Sequence, residues 1–252
     1  MAGNVVQEKS MRKIFITSID GQTVTLTGDS HAHLAYAMRS RVGDKVVLCC
    51  DKIDYDCEII RITKNETVLS VGDYTPVTTE PELDVTLYPA ILKGDKMEFV
   101  VQKCTELGVN AIIPFTSANC ECRPTAVRVD RLKKIAEEAS KQCGRGIIPN
   151  IGEVIDFPAL LNELSSYDLI VFPYENAKET DLKSFLRSAS KVKKVAIIVG
   201  SEGGFREDEA IKIEEMGATA VSLGSRIMRA ETASVAVLSA LMYEMGEWRI
   251  KQ

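Results

Sequence analysis

A change of rhythm near residue 72 constrains this chain most. Before it, short runs rich in Ile, Val and Thr (residues 13–19, 23–27, 45–50, 57–63 and 67–71) are separated by the pairs Asp20-Gly21, Gly28-Asp29, Gly43-Asp44 and Lys64-Asn65. Such runs between turn-forming pairs read as the strands of a small β domain. One helical stretch, 30–40, interrupts them, with Asp29 or Ser30 as its N-cap. After residue 83 the pattern becomes strand–helix alternation. Apolar runs at 85–90, 111–115, 169–172, 195–199 and 220–223 alternate with helical stretches at 96–107, Val129–Cys143, Leu182–Ser188, 207–216 and 231–245. Gly108, Gly144 and Gly217 follow three of those stretches, as helix C-caps do. Alternation of this kind calls for crossover connections and a mainly parallel sheet. The expected fold class is α/β. A small barrel-like β domain covers residues 1–74 and an α/β domain covers residues 82–252, with 73–81, which holds two prolines, as the linker.

Composition narrows the function classes. The longest uncharged stretches, 107–120 and 232–243, hold fourteen and twelve residues. Both are shorter than the ~18–20 needed to span a bilayer. The first residues lack the apolar core of an export signal. The seven cysteines are odd in number and form no C-x-x-C pair, so free thiols and a cytoplasmic location are expected. Cys120-x-Cys122 has no second pair or His at useful spacing, so no metal site is expected. The net charge is −5. That balance is unlike a nucleic-acid coat protein but leaves room for an enzyme that touches nucleic acid through one basic patch. Residues 123–145 supply such a patch: seven basic residues against three acidic ones. It also reads as a solvated helix face. Arg12, Arg39, Arg41 and Lys45 form a second basic group, and His31 and His33 read either as base-stacking rings or as helix-cap and surface residues.

Two loops draw attention. Val199-Gly-Ser-Glu-Gly-Gly-Phe205 follows one expected strand, and Leu223-Gly-Ser-Arg-Ile-Met-Arg-Ala-Glu-Thr-Ala233 follows another. Glycines after a buried parallel strand let the backbone approach a ligand, and ligands of open α/β sheets bind outside the carboxyl ends of strands. The plainer alternative is that Gly200, Gly203 and Gly204 serve tight turns. The first loop is neither a P-loop, since no Lys-Ser or Lys-Thr follows, nor the G-x-G-x-x-G of dinucleotide sites.

Together, G-S-E-G-G-F at 200–205 and L-G-S-R-I-M-R-A-E-T-A at 223–233 resemble the paired signatures of the RsmE family, 16S ribosomal RNA (uracil-N3)-methyltransferases of the SPOUT superfamily. The resemblance extends through Lys103, Thr105-Glu-Leu-Gly-Val109, Glu138-Ala139, Gln142, Arg145 and Pro149, and near the start through Arg12, His31 or His33, and Arg39-x-Arg41-x-Gly43-Asp44. It spans nearly the whole chain. There are departures. Ser201 and Ser225 stand where proline is usual, Met228 replaces Leu, Ala230 replaces Thr, and residues 118–122 lack an expected Arg.

The resemblance implies a PUA-like RNA-binding barrel, a C-terminal methyltransferase domain with a trefoil knot, and a homodimer with active sites at the subunit interface. It implies S-adenosylmethionine as cofactor and 16S rRNA within the small ribosomal subunit as partner. The cofactor set it points to is Val199, Gly200, Glu202, Gly203, Gly204, Leu223, Gly224, Ser225, Ile227, Met228, Arg229, Thr232 and Ala233. Arg229, permanently cationic, is the expected stabiliser of negative charge developing on uracil oxygens. It could instead pair with Glu231 or Glu202. Glu231 is the second catalytic candidate, and as an alternative caps the last helix with Thr232. The expected RNA contacts are Arg12, Arg39, Arg41, Lys103, Arg131 and Arg145. A catalytically inactive RNA-binding protein on the same scaffold, and another small-molecule enzyme using the same pocket, are the competing readings.

Overall fold

The computed structural model describes residues 13–189 and 191–249. The chain forms two compact units. One comprises the described residues up to Glu80 together with Ser140–Ile147, and the other comprises Pro81–Ala139 and the described residues from Ile148 onward.

The first unit is a five-stranded sheet: β1 (Lys13–Phe15), β2 (Thr23–Leu26), β3 (Lys45–Cys50), β4 (Ile53–Ile62) and β5 (Thr67–Pro76), in the order β1-β3-β4-β5-β2. β1 pairs with β3 in parallel, and the other pairings are antiparallel. Two register shifts between β4 and β5 add the local twist that bulges bring, and the sheet curls into a half-barrel. β3 turns into β4 through Asp51 and Lys52, at φ +48° and +62°, the hand that matches strand twist. Ile14, Leu26, Leu34, Val46, Leu48, Cys57, Ile59 and Leu69 fill the concave side. The expected helix is a short α1 (Gly28–Ala32) continued by a π-helical turn, His33–Ala37. Its N-cap is Thr27 rather than Asp29 or Ser30, with no side-chain cap bond. The expected linker starts later than its composition suggests, because Tyr74, Thr75 and Pro76 still pair with Tyr55, Asp54 and Ile53. Asp54, unfavourable in a strand by type, is held there by an ion pair to buried Lys13 at 2.7 Å.

The second unit has six strands: β6 (Asp84–Pro89), β7 (Ala111–Ile112), β8 (Asn150–Ile151), β9 (Leu169–Pro173), β10 (Lys194–Val199) and β11 (Thr219–Val221). All are parallel, in the order β11-β9-β10-β6-β7-β8. The helices are α2 (Lys96–Glu106), α3 (Val129–Cys143), α4 (Phe157–Leu164), α5 (Leu182–Ser188), α6 (Glu207–Glu215) and α7 (Ala230–Glu244). Alternate strand residues enter two cores. Val195, Ile197 and Val199 of β10 join a cluster with Val100 and Val101 of α2, Leu132 of α3, and Val237, Leu238 and Leu241 of α7. Ala196 and Ile198 join Leu160 and Leu164 of α4 and Ala210 and Ile213 of α6. A sheet covered on both faces explains why its strands read as continuous apolar runs.

Gly108, Gly144 and Gly217 take φ of +97°, +77° and +89°, as helix-ending glycines do. The run 111–115 shortens to Ala111–Ile112 because Pro114 lacks an N–H, although Phe115 still bridges Ala90 and Ile155. α4 and β8 were not anticipated. α4 had a signal: Asp156 accepts a hydrogen bond from Ala159 N at 2.9 Å, and Pro158 follows inside the first turn. Among the described residues, no helix is long and apolar enough to cross a membrane, and no group of three or more His, Cys, Asp or Glu could hold a metal ion.

Candidate active site

Along the sheet, β9 lies between β10 and β11 although it precedes both in the chain. This reordering brings three carboxyl ends together, the place where open α/β sheets bind ligands. A cavity of about 300 Å³ lies there. Pro173 ends β9 and Tyr174 and Glu175 follow it, Val199 ends β10 and 200–205 follow it, and 222–224 follow β11. Arg226, Ile227, Met228, Ala230 and Ala233 complete the wall.

The loop after β10 is closely packed. A Cβ on Gly200 would lie 2.8 Å from the Phe205 ring, and one on Gly203 would lie 2.8 Å from Asn119 O. Gly204 has φ +65°, and a Cβ there would sit 2.6 Å from Glu175 Oε1. Its N–H donates to Ser201 O at 3.0 Å and closes a turn. Glu202 accepts from Lys96 Nζ at 2.7 Å and from Lys93 N at 3.3 Å. Partial burial pushes the Glu202 carboxyl up, but these donors and its own N–H outweigh it and hold it below the usual carboxylate range. Buried Glu209 accepts from Ala118 N at 2.8 Å and from Arg206 N at 3.1 Å, which ties the start of α6 to the 117–122 loop.

The loop after β11 is open. Gly224 has φ +100° with nothing within 4 Å of an added Cβ. Ile227 is 92% exposed. Arg229 is the N-cap of α7, contributes no side-chain cap bond, and forms no ion pair among the described residues. The alternative pairing with Glu202 or Glu231 is therefore not made: Glu202 is taken by Lys96. Glu231 lies in the first turn of α7, and its Oε2 is buried without a hydrogen-bond partner among the described residues.

Of the residues assigned to the cofactor, Val199, Gly200, Glu202, Gly203, Gly204, Leu223, Gly224, Ile227, Met228 and Ala233 line the cavity, whereas Ser225, Arg229 and Thr232 do not. Sequence reasoning missed Pro173, Tyr174, Glu175 and Ser222. The run 169–172 was legible as a strand, but only the sheet order shows that its end borders the cavity.

A family model described as an RNA methyltransferase domain matches residues 79–242. The ribosomal RNA small subunit methyltransferase E of Bacillus subtilis is 32% identical over 234 residues, covering 89% of this chain and 91% of that protein. The chain belongs to the ribosomal RNA small subunit methyltransferase E family. Two solved structures are similar. One is a ribosomal RNA small subunit methyltransferase E from Neisseria gonorrhoeae bound to S-adenosylmethionine (28% identity, TM-score 0.81, 92% of this chain and 96% of that one). The other is a methyltransferase from Legionella pneumophila in complex with S-adenosylmethionine (28% identity, TM-score 0.83, 92% and 97%).

A methyltransferase E must also meet RNA, and the basic residues sort by what they touch. Arg12 lies outside the described residues. Arg39 and Arg41 are exposed. Lys103 Nζ pairs with Glu106 Oε1 at 2.8 Å, and Arg131 holds Glu98 in a fork whose Nη2–Oε2 arm is 2.7 Å. Arg123 and Lys134 are exposed and carry no ion pair among the described residues. Arg145 corrects an expectation. It is 3% exposed and its Nη2 is 2.8 Å from Glu80 Oε2, while Glu80 Oε1 also accepts from Gly146 N at 2.7 Å. A buried guanidinium committed to a carboxylate fixes the 144–147 turn within the first unit and is not a phosphate contact.

Proposed function

We propose that this chain transfers a methyl group from S-adenosylmethionine to N3 of a uridine in 16S ribosomal RNA of the small subunit. The observation that carries this reading is the cavity walled by both motif loops in a chain of the methyltransferase E family. Its residues fit the cofactor. Side-chain-free backbone at Gly200, Gly203, Gly204 and Gly224 admits close approach. Leu223, Ile227 and Met228 offer apolar surface to an adenine ring, and the Glu175 and Glu202 carboxylates suit a cationic ligand. When bound, S-adenosylmethionine supplies an activated methyl group on a sulfonium.

The protein's part is to hold and to polarise. The loop after β10 fixes the cofactor, and its rigidity favours an in-line approach of the nucleophile. Arg229, exposed and unpaired, supplies the cation that steadies negative charge on the uracil oxygens as N3 loses its proton. Glu231, the other candidate, does not line the cavity, and its buried Oε2, unpartnered among the described residues, sits in the first turn of α7 two positions from Arg229. Exposed Arg39, Arg41, Arg123 and Lys134 bind phosphates, which position the RNA without reading its sequence. The partly exposed positions of α7, Val235, Ala236, Ser239 and Ala240, carry no charge, and α7 has no charged residue between Glu231 and Glu244. That face suits a second copy of the chain, so the working form is a homodimer in the cytoplasm with each cavity near the shared face.

The test is incubation of the purified protein with methyl-labelled S-adenosylmethionine and unmodified small ribosomal subunits, followed by digestion and nucleoside identification. Label in N3-methyluridine is expected. Absence of label despite cofactor binding would overturn the substrate assignment, and absence of both would leave an inactive RNA-binding protein.

A further inference from the structure

Two departures from the family pattern meet in space. Ser201 stands where proline is usual, and 118–122 lacks the expected Arg. In the structure Ser201 Oγ donates to Asn119 O at 3.1 Å, and Asn119 Nδ2 donates to Gly203 O at 3.0 Å. The same carbonyl, Asn119 O, lies where a Gly203 side chain would begin. One residue away, Ala118 N donates to Glu209, a carboxylate only 4% exposed that also accepts from Arg206 N. The 117–122 loop thus crosses the 200–205 loop and is bolted to it by two hydrogen bonds at its middle and one beyond its end.

We infer that Asn119 is a positioning residue for the cofactor loop, acting with Ser201 as a hydrogen-bonded brace. A proline would restrict φ at 201 through its ring. Serine leaves φ free, and the restraint comes from a neighbouring loop instead. Asn119 suits the role because it offers both groups at once: a backbone acceptor for Ser201 and an amide donor for Gly203 O. Leucine or alanine at 119 would keep the first bond and lose the second. Ser201 lines the cavity and Asn119 does not, so Asn119 acts only by keeping Ser201, Gly203 and Gly204 in place for the ligand. The inference rests on the cofactor reading above for its consequence, but not for its geometry.

Two measurements on the full chain separate those parts. The first is hydrogen exchange of the peptide spanning 200–205 in the free protein, which reports the Gly204 N–H bond to Ser201 O. The second is S-adenosylmethionine affinity by calorimetry. Asn119→Ala and Ser201→Ala should each speed exchange and weaken binding by about five- to tenfold, the effect of one hydrogen bond. The double variant should lose little more than the worse single one, because the two bonds form one unit. Asp156→Ala, which removes the α4 cap, serves as control: it should lower the melting temperature and leave cofactor affinity within about twofold. Unchanged exchange in Asn119→Ala overturns the brace. Faster exchange with affinity unchanged overturns its role toward the cofactor. A wild-type chain that fails to bind S-adenosylmethionine sinks the cofactor reading instead, and exchange still judges the brace.

Discussion

Between Gly200 and Phe205 nearly every residue rests on another part of the chain, whereas between Ser222 and Arg229 few do. Asn119, Glu175 and Lys96 each press on or bond to the first loop, and Phe205 packs back on Gly200 within it. The second is tied at its start, where Ser222 N donates to Thr180 O at 2.8 Å and Ser222 O accepts from Leu182 N at 3.1 Å, but past the short bond from Gly224 N to Ser222 Oγ at 3.2 Å it leaves Ile227 almost wholly exposed. Both follow strands of one sheet and wall one cavity, so sheet position does not explain the contrast. The first loop is preorganised by the chain that contains it. The second is left to be ordered by what arrives, cofactor or RNA. That division suits a methyltransferase, in which one wall must hold the donor steadily and the other must admit a large nucleic acid.

If the open loop carries the chemistry and the braced loop carries the holding, Arg229→Ala separates them most widely. The rate of methyl transfer in single turnover should fall by about 10²–10³-fold, as when one charge-stabilising donor is removed. Cofactor affinity should stay within a few-fold. Rate and affinity falling together would place Arg229 in the holding wall and erase the distinction.

Glycine substitutions compare the loops directly. Gly203→Ala puts a methyl 2.8 Å from a backbone oxygen that cannot swing aside, so affinity for S-adenosylmethionine should drop by about tenfold or more. Gly224→Ala meets no atom within 4 Å. Its left-handed φ is strained by roughly 1–2 kcal/mol for an L-residue, which an unbraced loop can relax. A loss of about threefold is expected there. Calorimetry on both variants, with the order reversed, would refute the contrast.

Much of this was legible before any coordinates, and the parts that were not share a cause. Gly108, Gly144 and Gly217 announced helix ends because a left-handed residue has few substitutes for glycine. The two motif loops were visible for the same reason. Residues whose role depends on sheet order were not: Tyr174 and Glu175 border the cavity only because β9 lies beside β10, and no local pattern encodes that. Charge counting misled at Arg145, since a guanidinium's partner, Glu80, lies sixty-five positions away. The Asn119–Ser201 contact shows the same limit. Ser201 and the 118–122 run each stood only as a departure from the family pattern, and only their proximity makes them complementary.

The smallest expected effect concerns the one titrating contact of the braced loop. Glu202 is held ionised by Lys96, so its carboxyl sits below the usual range in the folded state. A depressed carboxyl contributes stability that is complete above its unfolded value, about 4.3, and is lost as pH falls through the folded value. Slow exchange of the 200–205 peptide should therefore hold from roughly pH 8 down to about pH 5 and weaken below about pH 4. Other carboxylates titrate in the same window, so the informative quantity is the difference between wild type and Glu202→Gln. That variant should show a shallower acidic limb and, because the pair is partly solvated, only about a twofold change near neutrality. The 222–229 peptide, with no such ion pair, should titrate alike in both proteins. If its exchange follows Glu202 as well, the two loops open as one body, and the difference between them is of degree rather than kind.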